Sequence, residues 1–430
     1  MAAQRELAAP STIQGMSSSL LSYAEADAVV ASFARKLSKV RPASERIDLV
    51  DAQGRVLAEP LLSDQDQPPF ARSTRDGFAC LAAEFSTRAS LRIAGSTHAG
   101  EAPPGPLLRD FVWEIMTGAP VPEGADAVVM IEHVERAKNR VRLAADRKIK
   151  AGDNIVERGA QAHRGDALIA AGVVLGPAQI ALAAACGYVE LTVNRRPRVA
   201  ILTTGDELVP VEDEPGPGQI RNSNAPMLAS LVAQAGGEPL LLPCAADTAE
   251  ALDAALHQGL DADLLLISGG VSAGKFDLVE PALARLGAIF HFTGVRIQPG
   301  KPLVFGEVPR AAKPSLPFFG LPGNPISSAA TSLLFGSQVL KALAGRSDAR
   351  PHFLAAQLAK DTDRKGKPGL TRFLPARCDF QTNEKFPRVA TVPWHGSGDL
   401  PAFARSNCFV VIPEDETTLD AGTIVRVLMI

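Results

Sequence analysis

Four short apolar runs between residues 197 and 346 constrain the fold more than any other feature of the chain: Val199-Ala-Ile-Leu, Leu240-Leu-Leu, Leu264-Leu-Leu-Ile and Phe318-Phe. Each reads as a buried strand and passes through a loop into helix-like periodicity. Strands alternating with helices build a parallel sheet, and such sheets take their ligands at the carboxyl ends of the strands. The spacing therefore predicts an α/β domain over residues 197–346 with its functional loops directly after these runs.

At 430 residues the chain exceeds one ordinary core, so two to four domains of roughly 100 to 150 residues are expected. Residues 1–19 are small and polar and read as a disordered tail. Residues 22–39 have helical spacing, with Ser22 as N-cap and Ala24, Ala28, Val29, Phe33 and Leu37 on one face. Residues 49–164 carry short β-like runs, such as 91–93 and 127–131, between Gly/Pro clusters such as 100–106. Helical character returns over residues 173–196, so segments 20–48 and 165–196 are expected to form one discontinuous linker domain around the β-rich 49–164. Alternation with turn signals beyond residue 347 predicts a small β domain over 347–430. The expected fold class is multidomain α/β plus β. Residues 167–189 are apolar apart from Gln179 and Tyr188, but their apolarity is mostly Ala and Gly, broken by Gly176-Pro177. Pro177 suits the first turn of a buried helix ending near Gly187, not a membrane span.

The 44 basic and 47 acidic residues are interspersed, giving a net charge of −3 with no long Lys/Arg run to neutralise a phosphate backbone. Aromatic residues make up only 5%, a poor supply of stacking platforms for single strands. Nucleic acid is therefore not an expected partner, and any bound anion is expected to be small. Cys80, Cys186, Cys244, Cys378 and Cys408 are odd in number, widely spaced and without a C-x-x-C pair, so they read as reduced, mostly buried small hydrophobes. The first eighteen residues have neither a basic n-region nor a continuous apolar h-region, which predicts no secretory signal and a cytoplasmic location.

Three loops carry chemistry. In the first, a strand runs into Thr203-Thr-Gly-Asp-Glu-Leu, placing the Thr204 hydroxyl, flexible Gly205 and the carboxylates of Asp206 and Glu207 at its end. Such a loop can hold a metal or a phosphorylated ligand, or be an ordinary strand-to-helix turn capped by Asp206. In the second, Ser268-Gly-Gly-Val-Ser-Ala-Gly follows a buried strand directly. Gly269, Gly270 and Gly274, with Ser268 and Ser272, let backbone N–H groups converge on an anion as a helix begins, and Asp277 could hold a divalent cation. Neither G-x-G-x-x-G nor G-x-x-x-x-G-K-[ST] is present, so dinucleotide and P-loop readings do not apply. The third pairs Gln298-Pro-Gly-Lys-Pro with Phe319-Gly-Leu-Pro-Gly-Asn-Pro-Ile-Ser-Ser. Prolines fix these loops while Gly300 and Gly323 open them, so Lys301 and Ser327 can face a bound oxyanion; two rigid loops with a solvated lysine is the plainer alternative.

Together these motifs, in this order, resemble the molybdopterin molybdenumtransferase family, MoeA in bacteria and the E domain of gephyrin in animals. Arg72-Ser-Thr-Arg-Asp-Gly-Phe-Ala, Met116-Thr-Gly-Ala-Pro-Val-Pro-Glu-Gly-Ala-Asp-Ala-Val-Val, Thr371-Arg-Phe-Leu and Gly396-Ser-Gly-Asp-Leu extend the resemblance over nearly the whole length. It implies a three-layer α/β domain that binds molybdopterin, a β-rich inserted domain and a C-terminal domain like a small β-barrel. It further implies an enzyme that inserts molybdate into adenylylated molybdopterin with release of AMP, using Mg2+. Such enzymes are elongated homodimers whose cleft is shared between subunits, so Asp76 and Thr117 would act in trans. Glu207, Asp247 and Asp277 match positions that serve the nucleotide, its Mg2+ and turnover, with Glu207 and Asp277 as metal ligands. Lys301, Ser327, Arg372 and Ser397 match positions around the molybdate and the pterin end, while Thr204, Gly205, Ser268 to Gly270, Ser272, Gly274, Pro322, Gly323, Asn324 and Pro325 belong to the binding loops. The upstream adenylyltransferase and downstream molybdoenzymes are the implied partners.

Four positions depart from the family's pattern. Val156 stands for an Arg and Gln161 for an Asp, so a charge pair has gone; Gln298 stands for a Lys and Asn222 for an Asp. None is a presumed catalytic residue, so tuning is expected rather than loss of activity. Two other readings remain: a pterin-binding or scaffolding paralogue that inserts no metal, and the adenylyltransferase of the preceding step, whose domain resembles the α/β part alone.

Overall fold

Ser22 caps the first helix reciprocally: its hydroxyl accepts from Glu25 N–H at 3.2 Å while the Glu25 carboxylate accepts from Ser22 N–H at 2.7 Å, starting helix Tyr23–Leu37. Its buried residues are Ala26, Val30, Ala31 and Ala34. Val29, Phe33 and Leu37 pack beside them as expected, but Ala24 and Ala28 face solvent. Alanine has little apolar surface to hide, so the larger side chains set the rotation of the helix. The protein is described from a computed structural model covering residues 20–271, 278–311, 313–362, 366–380 and 385–430.

The chain forms two units, one from the segment up to Glu45 with Gly54–Val56 and Val193–Ile430, the other from Arg46–Gln53 and Leu57–Thr192. The smaller unit is built on a six-stranded sheet in spatial order Ala127–Met130, Gly77–Cys80, Phe111–Ile115, Leu91–Thr97, Arg140–Leu143 and Val134–Ala137. Phe78, Phe85, Leu91, Val112, Val129 and Val141 fill its core. Helix Pro177–Ala185 starts on proline as predicted, yet only Ala183 of it is buried, against the expectation of a buried helix. Its apolarity is mostly alanine, which is cheap to expose. No helix of the described residues is long and apolar enough to cross a membrane.

In the larger unit a six-stranded sheet runs in the order Glu238–Leu241, Arg198–Thr203, Leu264–Ser268, Leu316–Leu321, Val304–Val308 and Ile289–Thr293. The first four strands are parallel, as the apolar runs predict, and the last two are antiparallel. The link 309–315 is shorter than the dozen or so residues a parallel crossover needs, so the chain turns back as a hairpin. Alternate residues feed two cores: Val199, Ile201, Leu264, Leu266 and Phe319 on one face, Ala200, Leu202, Leu265, Ile267 and Phe318 on the other. Helices cover both faces, giving three layers. Beyond it, strands Phe353–Leu358, Thr371–Asp379, Arg388–Thr391, Cys408–Ile412 and Ile424–Met429 close into a small barrel, because Thr371–Asp379 pairs with both Arg388–Thr391 and Cys408–Ile412. Closure leaves these strands no unpaired edge.

Candidate functional site

A cavity of about 800 Å³ lies at the carboxyl ends of strands Arg198–Thr203, Leu264–Ser268 and Leu316–Leu321. Thr204, Gly205, Glu207, Asp247, Ser268, Gly269, Gly270, Pro322, Gly323, Asn324 and Pro325 all line it, so the structure brings together the sequence-predicted loops that it describes. Ser272, Gly274 and Asp277 lie outside the described residues.

The loops are tied to one another. Thr204 Oγ1 donates to Asp247 Oδ1 at 2.6 Å, and Asp247 N–H donates to Asp206 Oδ1 at 3.0 Å. Gly269 N–H donates to the Leu321 carbonyl at 3.2 Å, and its φ of +103° belongs to glycine. A Cβ on Gly269 would sit 2.3 Å from the Thr204 carbonyl oxygen, so the glycine lets two loops touch by their backbones. The Asn224 amide donates to Ser268 Oγ at 2.9 Å and to the Gly323 carbonyl at 2.6 Å, joining the second and third loops. Asn224, Arg221, Pro302 and Gly398 also line the cavity and were not among the predicted site residues. The Ile220-Arg-Asn-Ser-Asn segment carries the signal for the first two, although its pattern singles out only Asn222. That residue bridges Thr203 Oγ1, to which it donates at 2.8 Å, and Ala225 N–H, from which it accepts at 3.2 Å. An Asp there could accept from both groups, so the Asp-to-Asn departure leaves the local geometry intact.

The predicted oxyanion residues are placed differently. Gln298 and Arg372 are opposite one another in a parallel pairing and line a second, smaller cavity of about 320 Å³ with Trp394 and His395. Arg372 is 3% exposed, and one guanidinium nitrogen donates to the Thr417 carbonyl. Lys301, Ser327 and Ser397 line neither cavity, although Pro302 and Gly398 beside them line the larger one. The Ser397 carbonyl accepts from Ile326 N–H at 2.9 Å, which fixes the 396–400 loop against the Pro-Gly-Asn-Pro turn.

In the smaller unit Asp76 Oδ1 accepts from the Thr117 N–H at 2.6 Å and from its hydroxyl at 2.7 Å. The Thr117 backbone N–H first, and then the hydroxyl, hold the Asp76 carboxyl below the usual carboxylate range. Val156 pairs with Arg72 in a short antiparallel ladder. Four cysteines are buried as expected and Cys244 is exposed. Partial burial of its sulfur raises the thiol pKa against a hydrogen bond with Thr203, and the charges of Asp247, Glu207 and Asp206 add to the rise.

Mg2+ prefers hard oxygen donors and usually binds through one or two carboxylates plus substrate phosphates. Glu207 and Asp247 on the cavity wall fit that habit. No group of three or more His, Cys, Asp and Glu able to hold a metal occurs among the described residues.

Sequence profiles named MoeA N-terminal region (domain I and II), probable molybdopterin binding domain and MoeA C-terminal region (domain IV) match residues 21–187, 200–342 and 356–430. The molybdopterin molybdenumtransferase of Nostoc sp. is 34% identical over 90% of this chain and 89% of its own length. This chain belongs to the molybdopterin molybdenumtransferase family. The Bacillus subtilis molybdopterin molybdenumtransferase is 33% identical over 90% of both chains. The crystal structure of the molybdopterin biosynthesis MoeA protein of Pyrococcus horikoshii OT3 superposes with a TM-score of 0.77, at 27% identity over 96% of this chain and 100% of that one. In molybdenumtransferase terms the larger cavity lies in the molybdopterin-binding domain, and the Gln298–Arg372 cavity is bordered by the C-terminal domain.

Proposed function

We propose that the larger cavity binds adenylylated molybdopterin and that the chain inserts molybdenum from molybdate into its dithiolene with release of AMP. The observation that carries this reading is the convergence of the Thr204, Ser268 and Asn324 loops, with Glu207 and Asp247, in one cavity at the sheet's carboxyl edge. In this reading the Gly-rich loop and Asp247, held by Thr204, are the parts of the cavity wall that meet the phosphates. Mg2+ at Glu207 and Asp247, with Asp277 completing the set, would supply charge neutralisation of the phosphates. Arg372 orients molybdate as the fixed cation of the smaller cavity, while Lys301 and Ser397 stand beside Pro302 and Gly398 of the larger one. The dithiolene sulfurs are the substrate's own nucleophiles, so the protein needs to position two anions rather than attack either.

The homodimer, the action of Asp76 and Thr117 on the partner's cleft, and a cytoplasmic location belong to this proposal. So do hand-over from the upstream adenylyltransferase and delivery to molybdoenzymes. AMP release from adenylylated molybdopterin, with and without molybdate, tests it with Asp247→Asn beside the unaltered chain. Molybdate-dependent release that falls at least roughly 100-fold in the variant is expected, the size usual for losing one preorganised electrostatic group. Nucleotide binding without release, with or without molybdate, would sink the transferase reading.

A further inference from the structure

A third cavity, about 320 Å³, shares no lining residue with either of the two above. It is a half-open pocket bordered by helix Asn224–Gln234, strand Leu264–Ser268, the helical run from Pro325 to Leu343, residues 346–354 and strand Ile424–Met429. Leu231, Leu264, Leu266, Leu340 and Leu428 form an apolar side, the π-helical turn Ser332–Gly336 contributes to the lining, and Gln234, Ser332 and Ser337 add polar groups. Such turns recur at functional sites because they open the helix ladder to a ligand.

Three basic side chains stand at this wall, Lys341, Arg346 and His352. Two are engaged: the Arg346 fork donates twice to Asp348 at 2.7 Å, and the His352 ring faces the same carboxylate at 3.5 Å. Lys341 is half-buried; among the described residues no hydrogen bond or close ion pair holds its amine, and the nearby Asp348 carboxylate acts on it only through its charge. Burial first, and then the neighbouring Arg346, hold its pKa below the usual lysine value. An anion docking at this wall would meet the Lys341 amine without displacing a hydrogen-bonded protein partner.

We propose that this cavity binds a medium-chain carboxylate, about eight to twelve carbons long for a site of this size, with its head on Lys341 and its chain along the leucine wall. The leucine side favours an apolar chain. One available cation suits a monovalent carboxylate better than a phosphate dianion, because Arg346 is already neutralised by Asp348.

Decanoate titrated calorimetrically into the full chain is the test, with decanol and decyltrimethylammonium as head-group controls. Saturable binding of one decanoate per chain is expected, at least tenfold weaker in Lys341→Met, retained in Lys341→Arg, retained in Asp247→Asn and not displaced by AMP. Ser337→Phe, which fills the cavity without touching the charge, should abolish it. The proposal is overturned if no saturable binding occurs, if Lys341→Met or decanol binds as well, or if AMP competes. Affinity that falls as protein concentration rises would also overturn it, since a second copy of the chain would then be covering the cavity.

Discussion

Asp76 and Thr117 show how a single contact sets a charge. Both donors of Thr117 act on one carboxylate oxygen of a solvent-facing Asp76, so the ionised form is favoured by hydrogen bonding and not by burial. A carboxyl depressed in the folded state contributes stability above its unfolded pKa and loses it as pH falls through the folded value. Thr117→Val removes the hydroxyl and keeps the backbone donor, so the Asp76 carboxyl should titrate higher than in the unaltered chain, yet still below an ordinary Asp. A carbon-13 NMR titration of the Asp76 carboxyl reads this directly; an unchanged midpoint would show that the hydroxyl contributes nothing. If Asp76 acts on the cleft as a carboxylate, the acid limb of the pH profile in turnover moves upward in the same variant.

At the scale of elements, the glycine loop depends on a backbone approach that no other residue permits. Gly269→Ala adds a Cβ 2.3 Å from the Thr204 carbonyl at a φ of +103°. A non-glycine residue held in such a region costs about 1–3 kcal/mol before any clash is counted. A fall of at least that size in urea-denaturation stability, with weakened nucleotide binding, is expected; stability and affinity like the unaltered chain would mean the two loops separate freely. This loop was legible in the sequence because a uniformly apolar strand and glycines are local signals, and so were the four parallel strands and the cap at Ser22. The antiparallel pair Val304–Val308 and Ile289–Thr293 was not, since pairing direction follows from link length and not from apolar pattern. Nor was the bridging role of Asn224, which comes from loops distant in sequence meeting in space. In the sequence Gln298 reads as a missing cation, but only the pairing with Arg372 shows what a lysine would face. Gln298→Lys should therefore lower the KM for molybdate, by about tenfold for one charge-assisted contact worth roughly 1.4 kcal/mol. Two like charges in one small cavity should also lower the melting temperature without molybdate and restore it with molybdate, by linkage. A KM that does not change would remove molybdate from this cavity.

For the whole molecule, the larger unit holds Glu207, Asp247 and Arg372 while the smaller one holds Asp76 and Thr117, so the predicted site residues are split between two bodies. The proposed shared cleft makes this split testable without knowing how the bodies are arranged. In a two-fold symmetric dimer each cleft would take Asp247 from one chain and Asp76 from its partner, so Asp76→Asn and Asp247→Asn homodimers are each inactive. Mixing them redistributes the defects: a mixed dimer has one cleft carrying both substitutions and one carrying neither. With equal amounts and free exchange, half the dimers are mixed, so molybdate-dependent AMP release should return to about a quarter of the wild-type rate. If Asp76 instead served the cleft of its own chain, every cleft in the mixture would retain one defect and no activity would return. The recovered rate separates the two because complementation requires the two residues to meet across chains, whatever each contributes to the chemistry.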